Sequence, residues 1–252
     1  MIYIKNEKEI ETMRAGGKIL AHILKQTLDK VVAGVGTADL DEFAENEIRS
    51  AGGFPMFKGY LGFPTALCTS LNNEVVHGPA KPNRILKEGD ILSIDVGMRY
   101  PAKKGLITDM AFTVVVGSSS PQIDKLLQTT QSALDIAIQT AHAGVHLGDV
   151  CHAIEEVIFK AGYSYAQGLV GHGVGEKLHE DPQVPNFGRP GTGPLLEAGM
   201  TLAIEPMVCM GRGETFEADN GAMVTLDGSL SAHFEHTILI TEGKAEILTS
   251  FE

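Results

Sequence analysis

Two histidines stand seven residues apart in a glycine-rich stretch, GHGVGEKLHEDPQV, at residues 171–184. An imidazole at such a place can bind a metal ion or transfer a proton. The spacing of His172 and His179 differs from that of the helical zinc signature, and the surrounding glycines disfavour a helix around His172. In a strand or loop, this spacing does not by itself hold two side chains together. If the stretch serves a metal site, we therefore expect the other ligands to come from elsewhere in the chain.

Acidic residues inside apolar segments are the candidates for those ligands. Asp95 lies within ILSIDVGM and Glu205 within LAIEPMV, whereas Asp109 and Glu235 lie on the predicted strands that follow. A buried carboxylate is costly unless a cation accompanies it, and for a single such residue a structural ion pair is the simpler explanation. Four acids on neighbouring strands would repel one another strongly, and two divalent ions bridged by carboxylates would remove that repulsion.

An internal repeat relates these acids in pairs. The segment AGVGTADLDEFAENEIRSAG at 33–52 matches AGVHLGDVCHAIEEVIFKAG at 143–162, and the same offset places Asp95 on Glu205. Asp109 falls on Glu235 only at a larger offset, so the second hairpin is the longer of the two. Apolar spacing predicts two helices and then two strands in each half.

We therefore predict a duplicated α+β fold with pseudo-twofold symmetry. It forms one domain over residues 1–252, with repeats at about 1–117 and 118–252.

The histidines take different roles in this scheme. His172 supplies a nitrogen ligand, and His179 is a candidate for contact with a substrate. His77, in the turn-rich stretch NNEVVHGPAKP, could do the same, although a surface or packed position is the simpler explanation for it alone. His236 adjoins Glu235 but should point to the opposite face of the strand, which favours a structural role.

Composition excludes several classes of protein. The formal charge of −12 is unsuited to a nucleic-acid-binding protein, which needs a basic face. No apolar run approaches the roughly 20 residues that cross a bilayer, and the charged start MIYIKNEKEIETM lacks the apolar core of a signal peptide. Three widely separated cysteines favour a reducing compartment. We therefore expect a cytoplasmic protein without membrane or nucleic-acid partners.

The chain resembles a known family, the type I methionine aminopeptidases. The resemblance covers nearly the whole chain and rests on NNEVVHG, GHGVG, LHEDPQVPNFG, IEPM and FEHTILIT, together with the ordered ligand candidates Asp95, Asp109, His172, Glu205 and Glu235. It implies the pita-bread, or creatinase-like, fold and the removal of N-terminal methionine, with a small second residue favoured. The short segment between His179 and Glu205 leaves no room for the helical insertion of type II enzymes.

The resemblance also implies a division of labour within the site. Asp95, Asp109 and Glu235 would share one ion, and Asp109, His172, Glu205 and Glu235 would hold the other. His77 and His179 would contact the substrate amide and the transition state, and Glu205 is the best candidate for proton transfer.

The expected cofactors and partners follow from this ligand set. One imidazole and four carboxylates suit two ions of Mn(II), Fe(II) or Co(II), with Zn(II) as a further option. We expect a monomer that acts on nascent polypeptide N-termini, with the ribosome as a place of encounter.

The chain departs from the family pattern near the expected specificity pocket, which by resemblance includes Tyr60, Phe63, Cys68 and Leu178. Leu61 stands where bacterial relatives usually have histidine, Gly221 stands where they usually have tryptophan, and the 95–109 hairpin is longer than usual. Loss of an indole wall predicts a weaker preference for methionine over leucine or phenylalanine, unless Met223 or the longer hairpin fills the gap.

Two other functions stay open at this stage. One is a proline-directed peptidase of the same fold, such as prolidase or aminopeptidase P. The other is a binding module of the same fold without catalytic activity.

Overall fold

Four helices follow one another as two similar pairs in the structure, a computed structural model that describes residues 2–251. They are α1 (Glu7–Leu28), α2 (Thr37–Ser50), α3 (Pro121–Thr140) and α4 (Leu147–Lys160). Helices α2 and α4 begin and end at positions that the offset of the sequence repeat relates to each other. No described helix combines the length and apolar character that a membrane crossing requires.

Fifteen strands connect and flank the helices within the described residues. They are β1 (Phe54–Pro55), β2 (Cys68–Leu71), β3 (Glu74–Val76), β4 (Ile91–Tyr100), β5 (Leu106–Val115), β6 (Ser164–Tyr165), β7 (Val170–Gly173), β8 (Glu180–Pro185), β9 (Thr201–Ile204), β10 (Met207–Cys209), β11 (Thr215–Glu217), β12 (Met223–Thr225), β13 (Ser231–His233), β14 (Glu235–Leu239) and β15 (Glu246–Ile247).

The two repeats share one antiparallel sheet. Its main path runs β1-β4-β5-β14-β9-β7-β8, with β2 paired to β4 and β15 paired to β14. The halves meet where β5 pairs with β14, so β4 and β9 occupy equivalent outer places. The predicted order of two helices and then two strands in each half is therefore confirmed for the main sheet, although Glu205 lies directly after β9 and not on it. The second repeat also contains β6, β7, β8 and β10 to β13, which were not predicted. The prediction of one domain stays a prediction, which the shared sheet supports.

The turns before the second helix of each pair repeat as well. Gly34 and Gly144 adopt φ values of 95° and 86°, which favour glycine. Each donates its backbone N–H across 2.9 Å to a leucine carbonyl of the same half. The side chains of Asp39 and Asp149 then accept a hydrogen bond from the backbone N–H that precedes each helix. Local chemistry thus sets both helix starts in the same way.

The helices cover one face of the sheet and leave the other face for the site. Buried side chains of α1 and α2 pack against Leu92, Ile94 and Val96 of β4, and each large apolar side chain so buried contributes about 1.5–3 kcal/mol. Because side chains alternate along a strand, Asp95 points to the opposite face. In the second half, Ile238 of β14 packs with the α3 and α4 cluster, so Glu235 faces away from the helices.

Candidate metal centre and active site

All five residues expected to bind metal are buried around one cleft of about 1170 Å³. Asp95 lies on β4, Asp109 on β5, His172 on β7, Glu205 directly after β9, and Glu235 at the start of β14. Ligand atoms of Asp109, His172 and Glu235 lie within 4.8 Å of one another. The adjacency of these strands therefore brings together residues that are far apart in the chain.

The carboxyl groups of the cleft are strongly perturbed. Burial raises the pKa of Asp109 and of Glu205 to about 7. Burial, followed by the charges of neighbouring acids, raises the pKa of Asp95 and of Glu235 well above the ordinary range. Within residues 2–251, no lysine or arginine forms an ion pair with any of these four acids. The charge that would stabilise their ionised forms is therefore not supplied by basic side chains.

Divalent cations fit this group of ligands. Asp95 Oδ1, Asp109 Oδ1 and Glu235 Oε1 are buried and accept no hydrogen bond from any residue that the structure describes. Such orphaned oxygens are costly in a protein interior unless something else binds them. Carboxylates with one imidazole form a hard ligand set, which suits first-row divalent metals.

His172 is prepared for metal binding by its own hydrogen bond. Its Nδ1–H donates across 2.9 Å to the carbonyl of Gly173, which leaves Nε2 facing Glu205 Oε1 at 3.5 Å. A bond of this kind fixes the tautomer and the orientation of a ligating histidine. Burial also lowers the pKa of His172, which favours the neutral form that binds metals.

The structure corrects the expectation that a strand or loop would leave His172 and His179 apart. Strands β7 and β8 form a hairpin, with His179 in its turn, and the two imidazole rings meet edge to face with centroids 4.4 Å apart. The hydroxyl of Tyr60 lies 2.9 Å from His179 Nδ1. The prediction that no helix forms around His172 is confirmed.

His77 lines the cleft, as a substrate contact would, and His236 lies outside the lining. His77 follows β3 directly, lines the same cleft and has a φ of 61°, an uncommon value for a residue other than glycine. His236 points away from the acids, and its Nδ1 lies 3.1 Å from the hydroxyl of Thr249. The structural role predicted for His236 agrees with this contact.

His233 belongs to the site and was not predicted from the sequence. It is 1% exposed, and its Nε2 lies 3.4 Å from Glu205 Oε2 and 4.0 Å from Glu235 Oε2. Neither ring nitrogen has a hydrogen-bond partner among the described residues. Burial lowers its pKa to about 3. Strand alternation could have found it, because residues two apart share a face.

The residues expected to form the specificity pocket line the same cleft. Tyr60 and Phe63 pack in one cluster with Cys68 and Leu178. A further aromatic ring, that of Phe57, meets Phe63 edge to face with centroids 6.5 Å apart. The structure thus places an apolar subsite beside the acids, suited to an apolar side chain.

The departures from the family pattern lie at the rim of the cleft. Leu61 is 92% exposed. Gly221 has a φ of 84°, and a Cβ built there meets nothing within 4 Å, so this part of the rim is open. Met223 lines the cleft, whereas the turn of the β4–β5 hairpin at residues 101–105 contributes nothing to the lining in the described chain. Of the two candidates for filling the gap, only Met223 is in place.

The chain is similar in sequence and in fold to known metallopeptidases. The model of metallopeptidase family M24 matches residues 11–242. A methionine aminopeptidase of Clostridium acetobutylicum is 44% identical, with 100% of both chains covered. The crystal structure of a Thermotoga maritima methionine aminopeptidase superposes with a TM-score of 0.96 at 45% identity, covering 99% of this chain and 100% of that one.

A more distant solved structure shows the fold alone. The prolidase of Pyrococcus horikoshii matches with a TM-score of 0.78 at 23% identity, covering 99% of this chain and 64% of that one. The fold is thus the internally duplicated α+β pita-bread arrangement expected from the sequence. Matched over most of its length, the chain belongs to metallopeptidase family M24.

Proposed function

We propose that the chain removes the N-terminal methionine from proteins and peptides by hydrolysis, with a small second residue favoured. The observation that carries this proposal is the meeting of four buried acids and His172 in one cleft, beside an apolar subsite. Relatives at this level of identity over the whole chain bear the name methionine aminopeptidase, which supports the same activity.

The proposed cofactors are two divalent ions, chosen from Mn(II), Fe(II), Co(II) and Zn(II). Asp95, Asp109 and Glu235 would hold one, and Asp109, His172, Glu205 and Glu235 would hold the other, so Asp109 and Glu235 would serve both. When bound, such ions lower the pKa of a water molecule and polarise a carbonyl group. The orphaned oxygens and raised carboxyl pKa values support this assignment.

Glu205 is the proposed proton carrier. It receives the proton of the attacking water as the new bond to the carbonyl carbon forms, and it gives that proton to the leaving amine as the peptide bond breaks. His233 approaches Glu205 from the side of β13, at 3.4 Å, and is suited to orienting the carboxylate through its Nε2–H.

His179 and His77 are the proposed substrate contacts. The Tyr60 hydroxyl can donate to His179 Nδ1, which leaves the Nε2–H of His179 free to donate to the oxyanion that develops on the carbonyl oxygen. His77, at the mouth of the cleft, would contact the leaving nitrogen. The free α-amino group of the substrate would lie towards Asp95, which accounts for action at a chain end.

Hydrolysis of short peptides tests the proposal. The purified protein, loaded in turn with each of the four metals, should hydrolyse Met-Ala-Ser and leave X-Pro dipeptides intact. The Asp109→Asn variant is the matched control and should be inactive. Preferential hydrolysis of X-Pro dipeptides would indicate a proline-directed peptidase, and inactivity with every metal would indicate a binding module.

We also propose that the protein is a cytoplasmic monomer that meets nascent chains as they leave the ribosome. All three cysteines, Cys68, Cys151 and Cys209, are buried and form no disulfide, which suits a reducing compartment. Sedimentation of the purified protein, alone and with ribosomes, would test both parts of this proposal.

A further inference from the structure

A buried lysine precedes the first helix and belongs to none of the groups described above. The side chain of Lys5 is 1% exposed, and its Nζ lies 2.6 Å from Glu180 Oε2, on a side chain that is 9% exposed. The two residues are 175 positions apart in the chain. A lysine is almost never buried to this degree unless it is paired, so this ion pair defines where the N-terminal segment lies.

Glu180 links that ion pair to the turn that carries His179. It is the first residue of β8, and its other oxygen, Oε1, accepts a hydrogen bond from the backbone N–H of Lys177 at 2.9 Å. His179 directly precedes Glu180 and contacts both Tyr60 and His172. The carboxylate of Glu180 therefore fixes both ends of the short segment that holds His179.

Gly175, the last glycine of the GHGVG stretch, accommodates this lysine. A Cβ at Gly175 would meet Lys5 Cε at 2.5 Å, a separation that van der Waals contact forbids. On the other side, the backbone N–H of Lys5 donates to the carbonyl of Gly199 at 2.9 Å. Tyr3, two residues earlier, lines the cleft. The N-terminal segment is thus packed against the second repeat beside the active site.

We propose that Lys5 is a positioning residue for His179. Its ammonium group holds Glu180, and Glu180 holds residues 177–179 where the imidazole of His179 faces the cleft. This inference rests on the proposed function to the extent that His179 acts on the substrate. Lys5 itself lies outside the lining of the cleft and outside the group of metal ligands.

The Lys5→Met variant keeps the length of the side chain and removes its charge, so Glu180 loses its partner. Because a shift of about 1 Å in a positioned group costs up to about a hundredfold in rate, we expect kcat for Met-Ala-Ser to fall about 10- to 100-fold. KM should stay within about twofold, because His179 acts mainly in the transition state. Hydrogen exchange of the backbone amides at 177–179 should become faster in this variant.

A double-mutant cycle separates this role from general stability. In the His179→Ala background, Lys5→Met should lower kcat by less than about twofold, because the group that it positions is gone. Arg14→Met is the matched control. Arg14 lies on α1 and forms a more exposed ion pair with Glu246 of β15, and its loss should leave kcat unchanged. All variants are assayed well below their melting temperatures, with metal content measured in each.

Several results would overturn the inference. They are a folded Lys5→Met protein with wild-type kcat, additive losses in the His179→Ala background, or unchanged hydrogen exchange at 177–179. If wild type fails to hydrolyse Met-Ala-Ser, the proposed function fails instead, and the hydrogen-exchange comparison still tests the link from Lys5 to the turn.

Discussion

The metal-free protein should lose stability as the pH rises from about 6.5 to about 8. In the fold, burial raises the pKa of Asp109 and of Glu205 to about 7, and burial with neighbouring acids raises the pKa of Asp95 and of Glu235 well above the ordinary range. In the unfolded chain these groups titrate near 4 and are ionised throughout the window. The folded state therefore holds more protons than the unfolded state, and each proton that is lost removes stability.

The magnitude follows from these pKa values. Over this window, a group with a folded pKa of 7 loses about 0.8 kcal/mol of stabilisation, so Asp109 and Glu205 together account for about 1.6 kcal/mol. The raised pKa values of Asp95 and Glu235 act in the same direction. The buried histidines act with the opposite sign at the acid end of this window. His233 and His236, with pKa values lowered to about 3 and about 4, stay neutral in the fold, whereas in the unfolded chain each is about half protonated at pH 6.5. Each therefore offsets about 0.4 kcal/mol of the loss by pH 8.

Urea unfolding followed by circular dichroism measures this effect. Protein stripped of metal with EDTA is unfolded at several values between pH 6.5 and 8, and the series is repeated with Mn(II) in excess. The metal should raise the free energy of unfolding and reduce or reverse its pH dependence, because a bound cation keeps the carboxylates ionised. A metal-free protein whose stability is flat or rises over this range would refute the argument that these acids are protonated without metal.

Three further predictions concern single residues. Asp109→Asn and Glu235→Gln should each abolish hydrolysis and lower metal stoichiometry, because each removes a ligand proposed to serve both ions. Unchanged metal stoichiometry in the Glu235→Gln variant would contradict that role for Glu235. By comparison, His77→Ala should mainly lower turnover. Glu205→Gln should lower kcat more than about a hundredfold. His233→Leu should weaken metal binding about tenfold, whereas His233→Gln, which keeps a hydrogen-bond donor, should not. Because the rim is open at Gly221, the preference for Met-Ala-Ser over Leu-Ala-Ser and Phe-Ala-Ser should be weak, at most about 1–3 kcal/mol in kcat/KM. Strict methionine selectivity would show that Met223 closes the subsite.

Much of the architecture was accessible from the sequence because it rests on local patterns. A single offset relates α2 to α4, and it relates the starts of β4 and β9, as the repeat predicted. Apolar strands ending in Asp95 and Glu205 predicted buried acids, because an isolated carboxylate in such a setting requires a cation. These patterns located the four acids of the proposed metal centre, whereas His172 was singled out by the glycine-rich stretch around it.

Contacts that depend on long-range register were not accessible in this way. The meeting of His172 and His179 depends on the β7–β8 hairpin and its irregular register after His172, which spacing alone does not specify. The ion pair of Lys5 with Glu180 joins the two repeats, and the sequence around these residues does not predict it.

Metal titration coupled to peptide hydrolysis tests the central claim most directly. Calorimetric titration of the metal-free protein with Mn(II) under anaerobic conditions should reveal two ions per chain, and hydrolysis of Met-Ala-Ser should appear only in the loaded protein. The Asp109→Asn variant should bind less metal and remain inactive. A chain that binds no divalent cation, or that hydrolyses Met-Ala-Ser equally well in excess EDTA, would contradict the account.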